Sequence, residues 1–256
     1  MTPPFDPARP RDLGQLVGDG VRVWRAHFFV LFALALVVVA PVELLVDGLW
    51  AGTLDEFFGG DAALGPSIAS QVSRALIIPV LVTTMHVHAV QDLAAGRAPS
   101  FRRSTIAAFR MAPTVSVVVV LYLLVTTAGF LLLIPGIWLS VRLYFGAQAA
   151  VVEGTRGRDA LHVSSRYVDA DWGRAFGTLL VIGLVAFVLG AAVGIVLGGP
   201  VALITDSGIA IGVANIASSA VAYSLSALLA TIFFFDLRTR DAKRTRRARS
   251  EPVPNA

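Results

Sequence analysis

The chain has 256 residues, of which 56% are hydrophobic and only 15% are charged; it carries a formal net charge of +4 and no cysteine. Soluble domains contain about 25% charged residues, so this composition is typical of a protein that lies mostly in lipid. The lack of cysteine excludes disulfides, thiolate nucleophiles and cysteine metal ligands. The polar segments between the apolar runs are too short to bury a core of their own, which excludes an attached soluble catalytic domain.

Long stretches without Asp, Glu, Lys or Arg recur along the chain, and a helix needs about 20 mostly apolar residues to cross the hydrocarbon layer. We therefore predict an all-α, polytopic membrane protein with six transmembrane helices. Pro135-Gly136 and Gly198-Gly199-Pro200 are expected to break the longer runs into separate helices. The predicted spans cover about residues 27–46, 73–93, 113–134, 137–152, 175–197 and 209–235.

Arginines cluster before the first span, between the second and third, between the fourth and fifth, and after the sixth, whereas the loop after the first span is acidic. The positive-inside rule then places both termini in the cytoplasm, and an even number of spans agrees with that. We divide the chain into a cytoplasmic segment with an amphipathic helix (1–25), a six-helix domain (26–236) and a basic cytoplasmic tail expected to be disordered (237–256). The predicted location is the cytoplasmic membrane.

A weak repeat marks three entries into the membrane on the cytoplasmic side. Asp12, Ser100 and Asp159 are residue types that cap helix N-termini, and each opens a segment of about three turns. We interpret these segments as amphipathic helices in the cytoplasmic interface, each followed by a transmembrane hairpin. The alternative is that three arginine-rich loops resemble one another by chance. The segments end near Trp24, Pro113 and Trp172.

One spaced pattern is more specific than the rest. It comprises Ile134-Pro135-Gly136-Ile137, Arg142, Glu153-Gly154, Ala160-Leu161, Ser165 and Trp172, together with Trp24-Arg25 before the first span. It resembles the glycerophosphoryl diester phosphodiesterase membrane domain family over nearly the whole chain. The resemblance implies a six-helix membrane module, usually of unknown biochemical role. It does not imply phosphodiesterase activity, because a separate soluble barrel is joined to that module in the proteins that name the family.

Charged residues within or at the ends of the spans are candidates for a site, because intramembrane charges are costly and tend to pair. Glu43, Arg74 and Arg142 all fall within roughly 10 Å of the outer interface, at about 1.5 Å of rise per residue. We predict that Glu43 contacts Arg142 or Arg74. The surplus arginine would then bind an anion such as a lipid phosphate, which Arg matches with two parallel hydrogen bonds. The alternative is a purely structural ion pair.

Two further patterns concern packing and metal binding. Small residues recur every fourth position in the fifth span and continue along the sixth, which predicts close contact between these two helices. His86 and His88 are two residues apart and point to different faces of a helix, so they cannot share one metal ion. His88 and Asp92 share a face, but a hydrogen bond to a neighbouring helix is the favoured interpretation. The small residues are Gly190, Gly194, Gly198, Ala210, Ala214, Ser218, Ala222, Ser226 and Ala230.

The function expected from these observations is a non-enzymatic membrane module that supports a lipid or a membrane protein partner, with no cofactor and no metal. The expected partners are the bilayer and anionic lipid at the basic tail. Nucleic acid is not expected, because the tail has no aromatic residues for base stacking. The alternative is a transporter or channel for a small solute or lipid, lined by Glu43, Arg142, Asn215 and the serines of the sixth span. A lipid-modifying enzyme is the third hypothesis.

Overall fold

The computed structural model describes residues 9–45, 71–72, 74–204 and 208–250, and within these ranges the chain is helical with no strand. The predicted all-α class is confirmed. The helices are α1 Leu13–Ala26, α2 Phe28–Leu45, α3 Arg74–Ala94, α4 Phe101–Phe130, α5 Leu133–Leu143, α6 Gly146–Glu153, α7 Arg158–Asp169, α8 Trp172–Ile204 and α9 Gly208–Ser250.

Among the described helices, five are long and apolar enough to cross a membrane: α2, α3, α4, α8 and α9. The predicted fourth span, residues 137–152, is not one continuous helix. It falls on α5 and α6, which are separated by Tyr144 and Phe145 and are 11 and 8 residues long. Apolar composition identified this segment, but it did not show that the helix is interrupted.

Two predicted helix breaks are wrong. The turn after α4 lies at Leu131 and Leu132, and Pro135 and Gly136 belong to the start of α5. Proline is accepted in the first turn of a helix, where its missing N–H would have no partner anyway. Pro200 lies inside α8, which continues to Ile204. The residues between α8 and α9, 205–207, lie outside the described ranges.

Two of the three predicted N-caps are confirmed. The Asp12 carboxylate accepts a hydrogen bond from the Gln15 backbone N–H at 2.7 Å, and the Ser100 hydroxyl accepts one from the Arg103 backbone N–H at 3.5 Å. Asp159 is not a cap, because α7 is preceded by Gly157 with a φ of +50°. Asp159 instead lies in the first turn of α7, where a negative charge is favourable near the positive end of the helix dipole.

The basic tail is helical rather than disordered as far as Ser250, because α9 continues through it without a break. Ion pairs hold its first turns to the rest of the molecule: Arg238 to Glu153, and Asp241 to Arg166. Residues 251–256 lie outside the described ranges.

Helix α9 lies at the centre of the fold and contacts α1, α2, α3, α7 and α8. Helix α1 covers the C-terminal half of the apolar stretch of α9. Gly20 lets the two backbones approach, because a Cβ at this position would overlap the Leu229 side chain. The Trp24 indole N–H donates to the Ser224 hydroxyl at 3.1 Å, and Leu16 is fully buried. Burying such a leucine contributes about 1.5–3 kcal/mol, so the apolar face of α1 stabilises this contact.

The predicted contact between the small faces of α8 and α9 is confirmed. A Cβ built on Gly190 would lie 3.0 Å from the Ala222 Cβ, one on Gly194 would lie 3.3 Å from the Ser218 hydroxyl, and one on Gly198 would lie 3.5 Å from the Ala214 Cβ. The Ser218 hydroxyl also donates to the Gly190 carbonyl at 2.6 Å. Gly183, off this four-residue spacing, has nothing within 4 Å.

Candidate functional site

Glu43 and Arg74 form the ion pair that the sequence predicts. The Arg74 Nη2 lies 2.8 Å from the Glu43 Oε2, and the two side chains are only 23% and 16% exposed. The pair connects α2 to the first turn of α3, and the Tyr223 phenol of α9 lies within electrostatic range of both charges. A ligand at this pair remains a prediction.

Arg142 pairs with Asp169 rather than with Glu43, so the predicted position of Arg142 near the outer interface and the predicted position of the 158–169 segment in the cytoplasmic interface cannot both hold. Its Nε and Nη2 atoms donate to the Asp169 Oδ2 at 3.1 and 2.7 Å, and its guanidinium lies 4.5 Å from the centre of the Trp138 ring. This partner results from the break between α5 and α6, because α7 packs back along α5 there. The Ser164 hydroxyl secures the contact by accepting from the Phe145 N–H at 3.1 Å and donating to the Arg142 carbonyl at 2.9 Å.

A groove of about 330 Å³ lies beside Arg142, and we call it the cationic groove. Arg158 and His162, four residues apart on α7, contribute to the same groove and share one helix face. Asp169 neutralises Arg142, so Arg158 supplies an additional positive charge. The full lining is Leu121, Val125, Arg142, Leu143, Arg158, Leu161, His162 and Ser165.

A second cavity, of about 290 Å³, lies where α3 and α4 meet the break between α5 and α6; we call it the α3–α4 cavity. Most of its lining is apolar. Hydroxyl or amide groups come from Thr83, Tyr122, Tyr144 and Gln148. The remaining lining residues are Ala75, Pro79, Val118, Val119, Leu123, Leu143, Gly146 and Ala147.

Three carboxylates, Asp92, Glu153 and Asp236, join helices near the ends of predicted spans, a role that the sequence analysis did not predict; we call them the junction carboxylates. Asp236 is fully buried and accepts from the Arg11 backbone N–H at 2.7 Å. It also accepts from Arg174 at 2.8 Å and from Arg240 at 2.9 Å. This carboxylate therefore ties the segment before α1 and the start of α8 to α9.

The other two junction carboxylates act in the same way. Asp92 accepts from Arg97 at 2.9 and 3.1 Å and from Arg103 at 3.1 Å, which holds α3 to the start of α4. Glu153 pairs with Arg238 at 2.7 Å and accepts from the Tyr167 hydroxyl at 3.0 Å. Burial and the neighbouring Glu153 carboxylate raise the pKa of Tyr167. Each junction carboxylate is the first charged residue after a charge-free run, and this signal could have identified them from the sequence.

The histidines of α3 are used in different ways. The His86 ring hydrogen-bonds the Val82 carbonyl at 2.8 Å and the Ser224 hydroxyl of α9 at 3.3 Å. Asp92, which shares a helix face with His88, is bonded to Arg97 and Arg103. No group of three His, Asp or Glu side chains that could hold a metal occurs in the part of the chain that the structure describes.

The side chains proposed to line a transport path make separate contacts. Ser218 binds the α8 backbone, Ser224 bonds Trp24 and His86, and Ser226 donates to the Tyr223 carbonyl of its own helix. Ser218 and Ser224 therefore join α9 to neighbouring helices, whereas Ser226 bonds only its own helix. Transport remains a hypothesis.

Comparison of the chain with models of protein families, with curated proteins and with solved structures found no match. The resemblance to the glycerophosphoryl diester phosphodiesterase membrane domain family therefore remains a prediction from the residues quoted above.

Proposed function

We propose that the chain is a multi-pass protein of the cytoplasmic membrane that acts as a non-enzymatic module and holds an anionic phospholipid in the cationic groove. The observation that carries this proposal is the combination of two arginines and a histidine with an apolar floor in one groove. A phospholipid has the complementary arrangement, a charged phosphate joined to apolar chains.

The charges of the groove suit a phosphate diester. Arg142 is neutralised by Asp169, which leaves the positive charge of Arg158 to balance the single negative charge of the diester. His162 adds a ring nitrogen that can donate a hydrogen bond to its oxygens, whereas the Ser165 hydroxyl already donates to the His162 carbonyl at 2.9 Å. Leu121 and Val125 of α4 offer the adjoining apolar surface for a chain.

The exposed surface around the α4–α5 turn supports a membrane setting. Leu131, Leu132, Leu133 and Ile134 are 66–87% exposed. Four consecutive large apolar side chains with this exposure are unfavourable in water, and a lipid environment removes that cost.

We further propose six membrane crossings, with α5 and α6 forming one interrupted span. Residues 133–153 are about as long as one crossing. Non-helical backbone at membrane depth is tolerated where protein surrounds it, and the Phe145 at this break is fully buried. Six crossings place both termini on the same side, and the distribution of arginines favours the cytoplasm for that side.

Reporter fusions test this topology. Fusions after Ser100, Arg156 and Arg249 should report the cytoplasm, and those after Phe57, Pro135 and Thr205 should report the outside. A cytoplasmic signal from the fusion after Phe57 would contradict the proposed orientation. Phe57 and Thr205 lie outside the described residues.

Mass spectrometry of lipids that co-purify with the protein in mild detergent tests the groove. Arg158→Gln should carry less anionic phospholipid than the wild type. Arg156→Gln is the matched control, because Arg156 is exposed, lies two residues away and does not line the groove. Equal amounts of lipid in the two variants would refute the proposal. If added inorganic phosphate displaced the co-purified phospholipid completely, the groove would be a site for free phosphate instead.

A further inference from the structure

We infer that the α3–α4 cavity is a second binding site, for a neutral lipid whose headgroup carries a free hydroxyl. This inference does not depend on the cationic groove, although Leu143 lines both. It is carried by the shape, the polarity and the opening of the cavity.

Two departures from regular helix geometry meet at this cavity. Helix α3 widens into a π-helical turn at Pro79–Thr83, and both of these end residues line the cavity. On the other side, the break between α5 and α6 contributes Tyr144. Single π-helical turns inside α-helices are frequent at functional sites, and here the turn shapes one wall of the cavity.

The polar groups of the cavity are neutral. In the described part of the chain, its lining includes no Asp, Glu, Lys or Arg. Gln148 is only 3% exposed, and its amide oxygen accepts no hydrogen bond from the described residues. A buried acceptor without a partner is costly, so a turn of the Gln148 amide that brings this oxygen to a hydrogen-bond donor in the cavity is favoured. A hydroxyl group is such a donor, whereas a charged headgroup would lack a counter-charge.

The size and the opening of the cavity favour a lipid headgroup. Its volume of about 290 Å³ lies near the lower end of the range for small-molecule sites and is too small for a whole phospholipid. Ala75, Pro79 and Leu123 line the cavity and are partly exposed, so it opens sideways between α3 and α4. In a membrane this opening faces the bilayer, from which a lipid can place its head inside while its chain stays in the hydrocarbon layer.

The test uses 1-oleoylglycerol as the probe and methyl oleate, which has the same chain but no hydroxyl, as the control ligand. Binding to the full chain in mild detergent is measured by the increase in unfolding temperature across a ligand titration. We expect 1-oleoylglycerol to stabilise the wild type more than methyl oleate does. Equal stabilisation by the two ligands would overturn the inference.

Two variants locate the binding. Ala75→Phe should fill the opening and abolish the stabilisation, whereas Ala128→Phe, at an exposed alanine of α4 outside the cavity, should preserve it. Gln148→Leu should weaken binding of 1-oleoylglycerol about tenfold and change the binding of methyl oleate less, because it removes the amide group that carries the acceptor and keeps a side chain of similar size. If 1-oleoylglycerol raised the unfolding temperature of both the Ala75→Phe and the Gln148→Leu variants as much as that of the wild type, the site would be refuted.

A third variant separates this inference from the proposed function. Arg158→Gln should respond to 1-oleoylglycerol like the wild type, because Arg158 does not line this cavity. A lost response in this variant would show that the probe binds in the cationic groove and would overturn the assignment to the α3–α4 cavity.

Discussion

Gly190→Leu is expected to separate α8 from α9. The position leaves no room for a side chain, because the first added carbon would lie 3.0 Å from the Ala222 Cβ and 3.4 Å from the Ser218 carbonyl oxygen. Ordinary contacts between carbons are about 3.5–4.0 Å, so even this first carbon requires a shift. The rest of the leucine side chain also displaces the Ser218 hydroxyl from the Gly190 carbonyl.

The expected cost follows from these contacts. Overpacking costs about 1–3 kcal/mol. The lost hydrogen bond adds about 0.5–1.5 kcal/mol. Replacing glycine within a helix recovers about 0.8–1 kcal/mol. The net effect is a destabilisation of roughly 0.5–4 kcal/mol. Gly183→Leu, at an exposed position with open space around it, gains the helix propensity without the clash and should not destabilise.

The measurement combines unfolding in mild detergent with disulfide crosslinking. The chain has no cysteine, so introduced pairs report without interference. A Cβ on Gly198 would lie 3.5 Å from the Ala214 Cβ, which is within the range of about 3.5–4.5 Å found in disulfides. The double variant Gly198→Cys, Ala214→Cys should therefore crosslink, and adding Gly190→Leu should reduce the yield. Unchanged unfolding temperature and unchanged crosslinking with Gly190→Leu would refute the reasoning.

Further predictions concern the buried charges and the α1 contact. Asp236→Asn should destabilise by about 1.5–3 kcal/mol, because it removes the buried charge that accepts from two partly exposed arginines. The more exposed Asp241–Arg166 pair should contribute at most about 1 kcal/mol, so Asp241→Asn is the control, and equal unfolding temperatures of the two variants would contradict this difference. Glu43→Gln and Arg74→Gln should each destabilise, with a double variant less affected than the sum of the two; full additivity would show that the pair does not couple. Gly20→Leu should detach α1 from α9 and increase its protease cleavage in detergent, whereas unchanged cleavage would show that close approach is not required.

Local patterns were sufficient for several parts of this fold. The all-α class follows from long charge-free runs, and the caps at Asp12 and Ser100 follow from side chains that bond backbone groups three residues away. The contact between α8 and α9 was also predictable, because small residues repeated every fourth position must share one helix face. The Glu43–Arg74 pair follows from the cost of leaving opposite charges unpaired in an apolar setting.

Tertiary structure decided which partner each remaining charge binds and where helices are interrupted. Arg142 bonds Asp169, 27 residues away, because the break at Tyr144 and Phe145 lets α7 return along α5. Nothing in the local sequence specifies that return. Asp236 likewise reaches Arg11, 225 residues away, and this contact exists only after α1 and α8 have packed against α9. Both candidate sites contain groups from several helices, so the sequence determined the chemical groups available, while packing over long distances along the chain determined which of them share a cavity.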